Sequence, residues 1–158
     1  MPLLRSLGQL MKEVRSSPSP PAVVLLIDES KDGNRARKMI LQDQGYRIET
    51  SSDPDDALSL LTKKRIDLAV TEYRVKGRCC KEFIEQLRNA QEGLKVVLLS
   101  GLVETLGLDE RSTGADAVVA KGAHEVTRLQ RTISRLTSRR NMKRPPASQT
   151  RMARAQSV

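Results

Sequence analysis

The chain has 158 residues, 30% of them charged, a formal net charge of +9, no tryptophan, one phenylalanine and two tyrosines. That length suits one domain with flanking segments, and the scarcity of rings leaves the core to Leu, Val, Ile and Ala. The only cysteines, Cys79 and Cys80, are adjacent, which excludes a disulfide framework and a metal-ligand spacing, and no apolar run approaches the roughly 20 residues that span a bilayer.

In chain order, residues 3–14 place Leu3, Leu4, Leu7, Leu10, Met11 and Val14 at helical spacing. That is one apolar face of an amphipathic helix. Such a helix packs on its domain, pairs with a partner or a second copy (a homodimer), or lies on a membrane surface; packing or self-association is the first expectation. Ser16-Ser17-Pro18-Ser19-Pro20-Pro21 reads as a stiff linker. No signal peptide is read, since a continuous apolar region and a small-residue cleavage site are lacking. Reduced thiols fit a cytoplasmic setting.

From Ala22 strands and helices alternate. Residues 23–27 are continuously apolar, as in a strand covered on both faces. The pattern predicts a helix over 31–44, with Ala36, Met39 and Ile40 inward and Gly45 as its C-cap. Residues 46–50 give a short edge strand. Asp53-Pro54-Asp55-Asp56 opens the next helix, with proline in its first turn and acids that complement the dipole. Ala57, Leu58, Leu60 and Leu61 give its buried face.

The third strand is 67–71, and a helix over about 80–91 turns Phe83, Ile84 and Leu87 inward. The fourth strand is 95–99, and a weaker helix over 102–111 is interrupted by Gly107. The fifth strand is 117–120, and a helix over 124–136 carries Val126, Leu129, Ile133 and Leu136 at helical spacing. Five strands alternating with five helices predict an α/β fold with a doubly wound parallel sheet. Beyond Leu136 there is almost nothing to bury, so 138–158 reads as a basic, disordered tail. The expected organisation is 1–21 helix and linker, 22–137 domain, 138–158 tail. Residues 1–21 sum to +2 and 137–158 to +6, leaving +1 for the residues between.

The predicted strand ends carry the chemistry. Asp28 and Glu29 follow the first, Glu72 the third, Ser100 and Gly101 the fourth, and Lys121 the fifth. In open α/β sheets ligands bind beyond the carboxyl ends of the strands. This order of acids, hydroxyl and ammonium resembles the receiver (CheY-like) domain of two-component response regulators, over about residues 22–136.

The resemblance implies a flavodoxin-like five-stranded sheet in the order 2-1-3-4-5. It implies phosphorelay signal transduction and not the turnover of a small molecule. It places Asp28, Glu29 and Glu72 in an acidic pocket for Mg2+, a hard cation that takes oxygen ligands. Glu72 falls on the phosphoacceptor position, Ser100, Gly101 and Lys121 on the phosphoryl contacts, and Val118 on the aromatic switch position.

Several of these positions depart from the family. Glu72 stands where the family has aspartate, which carries its carboxylate about 1.5 Å further. A misplacement of about 1 Å costs an in-line reaction on the order of 10²-fold. Val75-Lys76 replaces the family's Met-Pro, Cys80 its glycine, Gly122 the proline after the lysine, and Val118 has no ring to swing.

Three readings of Glu72 stand: a built-in mimic whose longer carboxylate reaches Ser100 and Lys121, a pocket kept only for the fold, and a true acceptor on glutamate. Lys121 has two, a signalling role and the simpler one of making clustered acids tolerable.

The functional expectation is a stand-alone pseudo-receiver that works by protein–protein interaction without aspartate phosphorylation. The partner implied is a histidine kinase or a downstream effector, meeting the fourth helix, fifth strand and fifth helix around 102–107, Val118 and 126–136. One rival is a conventional Mg2+-dependent phospho-accepting receiver. Another is a nucleic-acid-associated protein whose basic ends neutralise phosphates, a salt-sensitive mode; the ends also suit an anionic membrane.

The tail has no aromatics for stacking on single strands. His124, the only histidine, reads as a surface residue. The acidic run Asp28-Glu29-Ser30-Lys31-Asp32-Gly33 is no glycine-rich phosphate loop, which argues against nucleotide binding.

Overall fold

The structure is a computed structural model that describes residues 21–138. The expected N-terminal helix and all but the first residue of the expected tail lie outside the described residues. The elements run β1 (Val23–Ile27), α1 (Lys31–Asp43), β2 (Arg47–Ser51), α2 (Pro54–Lys63), β3 (Leu68–Thr71), β4 (Arg74–Val75), β5 (Arg78–Cys79), α3 (Cys80–Ala90), β6 (Lys95–Ser100), α4 (Val103–Leu106), α5 (Glu110–Thr113), β7 (Ala117–Ala120) and α6 (Glu125–Thr137).

Five strands form one parallel sheet in the order β2-β1-β3-β6-β7. This is the doubly wound order 2-1-3-4-5 that the resemblance implied. Successive strand side chains point to opposite faces, so each apolar run feeds two cores. Leu25, Ile27, Ala69, Val96 and Leu98 pack beneath Ala57 and Leu61 of α2 and Phe83, Ile84 and Leu87 of α3. Val24, Leu26, Leu68, Val70, Val97 and Leu99 pack beneath Leu41 of α1 and Leu129, Ile133 and Leu136 of α6. Covering both faces explains why the central strands read as unbroken apolar runs.

Three local features differ from the sequence expectation. In α1 the buried residues are Asn34, Arg37 and Leu41, whereas Ala36, Met39 and Ile40, expected inward, are exposed. Both triplets fit a helical period, and polar contacts decide between them. The Asn34 amide donates to the Asp28 and Ser51 carbonyls at 3.2 and 3.1 Å, and Arg37 reaches the Asp28 carboxylate. Rotating Met39 inward would forfeit these bonds.

The weak helix expected over 102–111 is two four-residue helices, α4 and α5, parted after Gly107, which takes a left-handed φ of 62°. The third difference is an unforeseen hairpin, β4–β5, closed by Lys76 and Gly77 at φ 47° and 79°. Positive φ at both central residues is the geometry of a tight two-residue hairpin turn, and Gly77 was its only sequence signal.

The phase of α1 is testable by urea unfolding. Leu41→Ala should cost about 3 kcal/mol, as a buried leucine does. Met39→Gln should stay within about 0.5 kcal/mol, as a surface change does; a comparable loss for both would contradict this packing.

Candidate functional site

The carboxyl ends of β1, β3 and β7 bring Asp28, Glu72 and Lys121 together. Asp28, 8% exposed, accepts the Ser30 backbone N–H on Oδ1 at 3.0 Å. Its Oδ2 accepts from Lys121 Nζ at 3.0 Å and from Arg37 Nη1 at 3.2 Å. Lys121 Nζ also lies 2.6 Å from Glu72 Oε2, while Glu72 Oε1 accepts the Tyr73 N–H at 2.8 Å. Arg37 Nη2 reaches Glu125 Oε2, in the first turn of α6, at 3.5 Å. A chain of alternating charge therefore runs Glu72–Lys121–Asp28–Arg37–Glu125.

The other sequence-predicted residues lie around this chain in different states. Glu29 is exposed, and its carboxylate accepts the backbone N–H of Lys76 in the hairpin turn. The Lys76 ammonium in turn pairs with Asp53 Oδ2 at 3.0 Å. The adjacent acids Asp28 and Glu29 thus take different cationic neighbourhoods. Ser100 is fully buried, and its hydroxyl accepts the Leu102 N–H at 3.1 Å. Among the described residues no hydrogen bond joins Ser100 to Glu72. Gly101 is exposed, with open space where a Cβ would stand. Val118 packs half-buried on the core beneath α2 and α3. His124 is exposed at the start of α6 and caps nothing with its side chain.

Sequence reasoning missed Arg37, Asn34 and Glu125. The available signal was the spacing of Asn34, Arg37 and Leu41, which share a helix face. An arginine on that face, nine residues after a strand-end aspartate, has the reach to come back to it.

Burial pushes the Asp28 carboxyl up, but the Ser30 N–H, the Lys121 ammonium and the Arg37 guanidinium outweigh it and hold it below its ordinary 3.8. Burial likewise presses Lys121 down, and its bonds to Glu72 and Asp28 outweigh that and lift it above its ordinary 10.5. The same arrangement bears on a metal. Among the described residues no group of three or more His, Cys, Asp and Glu gathers as a metal set. Asp28 Oδ2 already faces two cations and Glu29 is engaged by the hairpin. The acids in this arrangement do not fit a divalent ion, which needs several free oxygens at once.

Comparison with known proteins agrees with the fold. The family model described as the response regulator receiver domain matches residues 24–133. Among solved structures, the response regulator TrrA of Thermotoga maritima, in complex with Mg2+–BeF, is 23% identical with a TM-score of 0.64, over 73% of this chain and 98% of that one. The receiver domain of Francisella response regulator 1452 is 22% identical at 0.66, over 75% and 98%. A response regulator from Burkholderia pseudomallei, with a phosphorylated aspartic acid, calcium and citrate, is 18% identical at 0.60, over 86% and 74%. The search of curated proteins finds no match.

Two expectations follow for stability. Lys121→Met strands Glu72 and leaves Asp28 only Arg37 as a cation, and should cost about 2–3 kcal/mol, the loss for breaking a buried pair discounted for the lysine's partial exposure. Arg37→Met should cost less, because Asp28 keeps Lys121. The pH profile should have two limbs. Asp28 is depressed in the fold, so its contribution is present above 3.8 and lost as pH falls below it. Lys121 is raised, so its contribution is present below 10.5 and lost as pH rises beyond it. Thermal melts across pH check both; an alkaline limb unchanged in Lys121→Met would contradict the assignment.

Proposed function

This chain belongs to the response regulator receiver domain family of two-component signalling, and on that premise we propose that it signals by protein–protein contact without phosphorylation at position 72. The observation that carries this reading is the 2.6 Å ion pair between Glu72 and Lys121. In a phosphorylated receiver an ammonium stabilises the transferred group by charge. Here that ammonium is already neutralised by Glu72 and by Asp28. A phosphoryl group arriving at Glu72 would have to displace an existing charge-assisted bond, from a carboxylate offset by one methylene.

The pocket then acts as a fixed electrostatic tie between β3, β1 and β7. It resembles the phosphorylated state in one respect, an anion at the third strand held by the lysine. It differs in another, since Ser100 is turned to the Leu102 N–H. Val118, packed on the core, offers no aromatic rotation to report a change. We therefore read the surface as held in one state, not switched. The partner, a kinase or an effector, meets the fourth-helix region, where Leu102 and Leu106 stand 42% and 50% exposed beside β7. Two exposed leucines in one short segment give a partner apolar area to bury.

Intact mass after incubation with acetyl phosphate and Mg2+ tests the reading. Wild type should gain no phosphoryl mass, and a gain would overturn it. Glu72→Asp locates the block. Gain in that variant alone makes the extra methylene sufficient; gain in neither places the block in the wider network of Lys121 and Arg37.

A further inference from the structure

The charge of this molecule is divided more sharply than its ends alone suggest. The first 125 residues hold nineteen basic and all nineteen acidic residues, so they sum to zero. Residues 126–158 hold nine basic residues and no acid, and therefore carry the entire net charge of +9. Three of those nine, Arg128, Arg131 and Arg135, belong to α6, inside the folded domain. All three are exposed. They recur at the helical spacing that puts residues on one face, and they span about 10 Å of helix axis at 1.5 Å per residue. Among the described residues no carboxylate pairs with Arg128 or Arg131. Thr127, Gln130 and Ser134 line a shallow depression with Arg131 and Arg135, adding hydroxyl and amide groups.

We propose that the outer face of α6, carried by Arg128, Arg131 and Arg135, is a binding surface for double-stranded nucleic acid. A duplex presents a negative charge about every 1.7 Å of its axis, and arginines that neutralise its phosphates release counterions. Hydroxyl and amide side chains are the usual companions of arginine on phosphate and sugar. Two other polyanions fit less well. Single strands are held by stacking on aromatic rings, and no aromatic residue follows Phe83. A helix that lies in a membrane surface needs an apolar face to insert, whereas Leu129, Ile133 and Leu136 of α6 are buried against the sheet. The mode proposed is phosphate neutralisation, which carries no sequence information. This surface is separate from the Glu72 pocket, so its failure leaves the reading of that pocket untouched.

The test is fluorescence anisotropy of a labelled, mixed-sequence duplex of about 25 base pairs with the full chain, from about 50 to about 200 mM salt. Wild type should bind, with log affinity falling linearly in log salt. The double variant Arg128→Gln/Arg131→Gln should weaken binding to all sequences alike and make the salt slope shallower by about 2. Arg128→Lys/Arg131→Lys should retain binding, which separates lost charge from a damaged fold. Four outcomes would overturn the proposal. They are no binding at the lowest salt, an unchanged slope in the Gln double variant, tighter binding of the matching single strand, and a preference for phosphatidylserine vesicles at matched anionic charge. An unchanged slope beside a loss in Arg139, Arg140, Lys143 and Arg144→Gln would assign the charge effect to the tail alone.

Discussion

The Lys121 ammonium, placed between Glu72 and Asp28, is the contact on which the carboxyl edge of the sheet depends. Each of these residues follows a different strand, so the two ion pairs tie β7 to β3 and to β1 across three of the five strands. Without the ammonium, two carboxylates would share a low-dielectric edge and repel each other. Arg37 extends the tie to α1, and its second nitrogen reaches the first turn of α6 through Glu125. Helices on one face of the sheet are thereby joined to the strand ends by charge as well as by Leu41, Leu129 and Ile133.

How far the sequence made this legible varies by element. The strands were plain because both sheet faces are covered, and an unbroken apolar run is what such a strand must be. The partners of Glu72 were also within reach, since the lysine after the last strand has few other acids to meet. The rotation of α1 was not legible. Ala36, Met39 and Ile40 form as good a helical stripe as Asn34, Arg37 and Leu41. Hydrophobicity alone prefers the first, and only the carbonyls and carboxylate waiting at Asp28 and Ser51 select the second.

Nor was the divergence of Asp28 and Glu29 legible. It depends on a two-residue turn that puts Lys76 in the left-handed region, with its N–H toward Glu29. Six residues with little strand character, Arg74 to Cys79, offered Gly77 as the one hint of a hairpin. Turn geometry is set by φ at two residues and hardly at all by periodicity, which is why a pattern reading passes over it.

Glu72 and Arg37 fit one another in charge. Asp28 is buried, and a buried carboxylate must be paired or it neutralises. With Glu72 close on Lys121, the ammonium is shared, and half of its charge is spent on the neighbour. Arg37 supplies the second cation at 3.2 Å. The arrangement carries a cost, since Arg37 Nε and Asn34 Oδ1 are buried without a hydrogen-bond partner among the described residues. That cost is tolerable only if the Asp28 contact is worth more, which makes Arg37 a measure of how much charge the pocket needs. Five side chains holding three negative and two positive charges leave a residue of −1, so the pocket is nearly self-neutral. A doubly charged ion brought to Asp28 would have to displace Arg37 or Lys121. The displaced cation would then face the ion across a short distance at low dielectric, where like-charge repulsion is strongest.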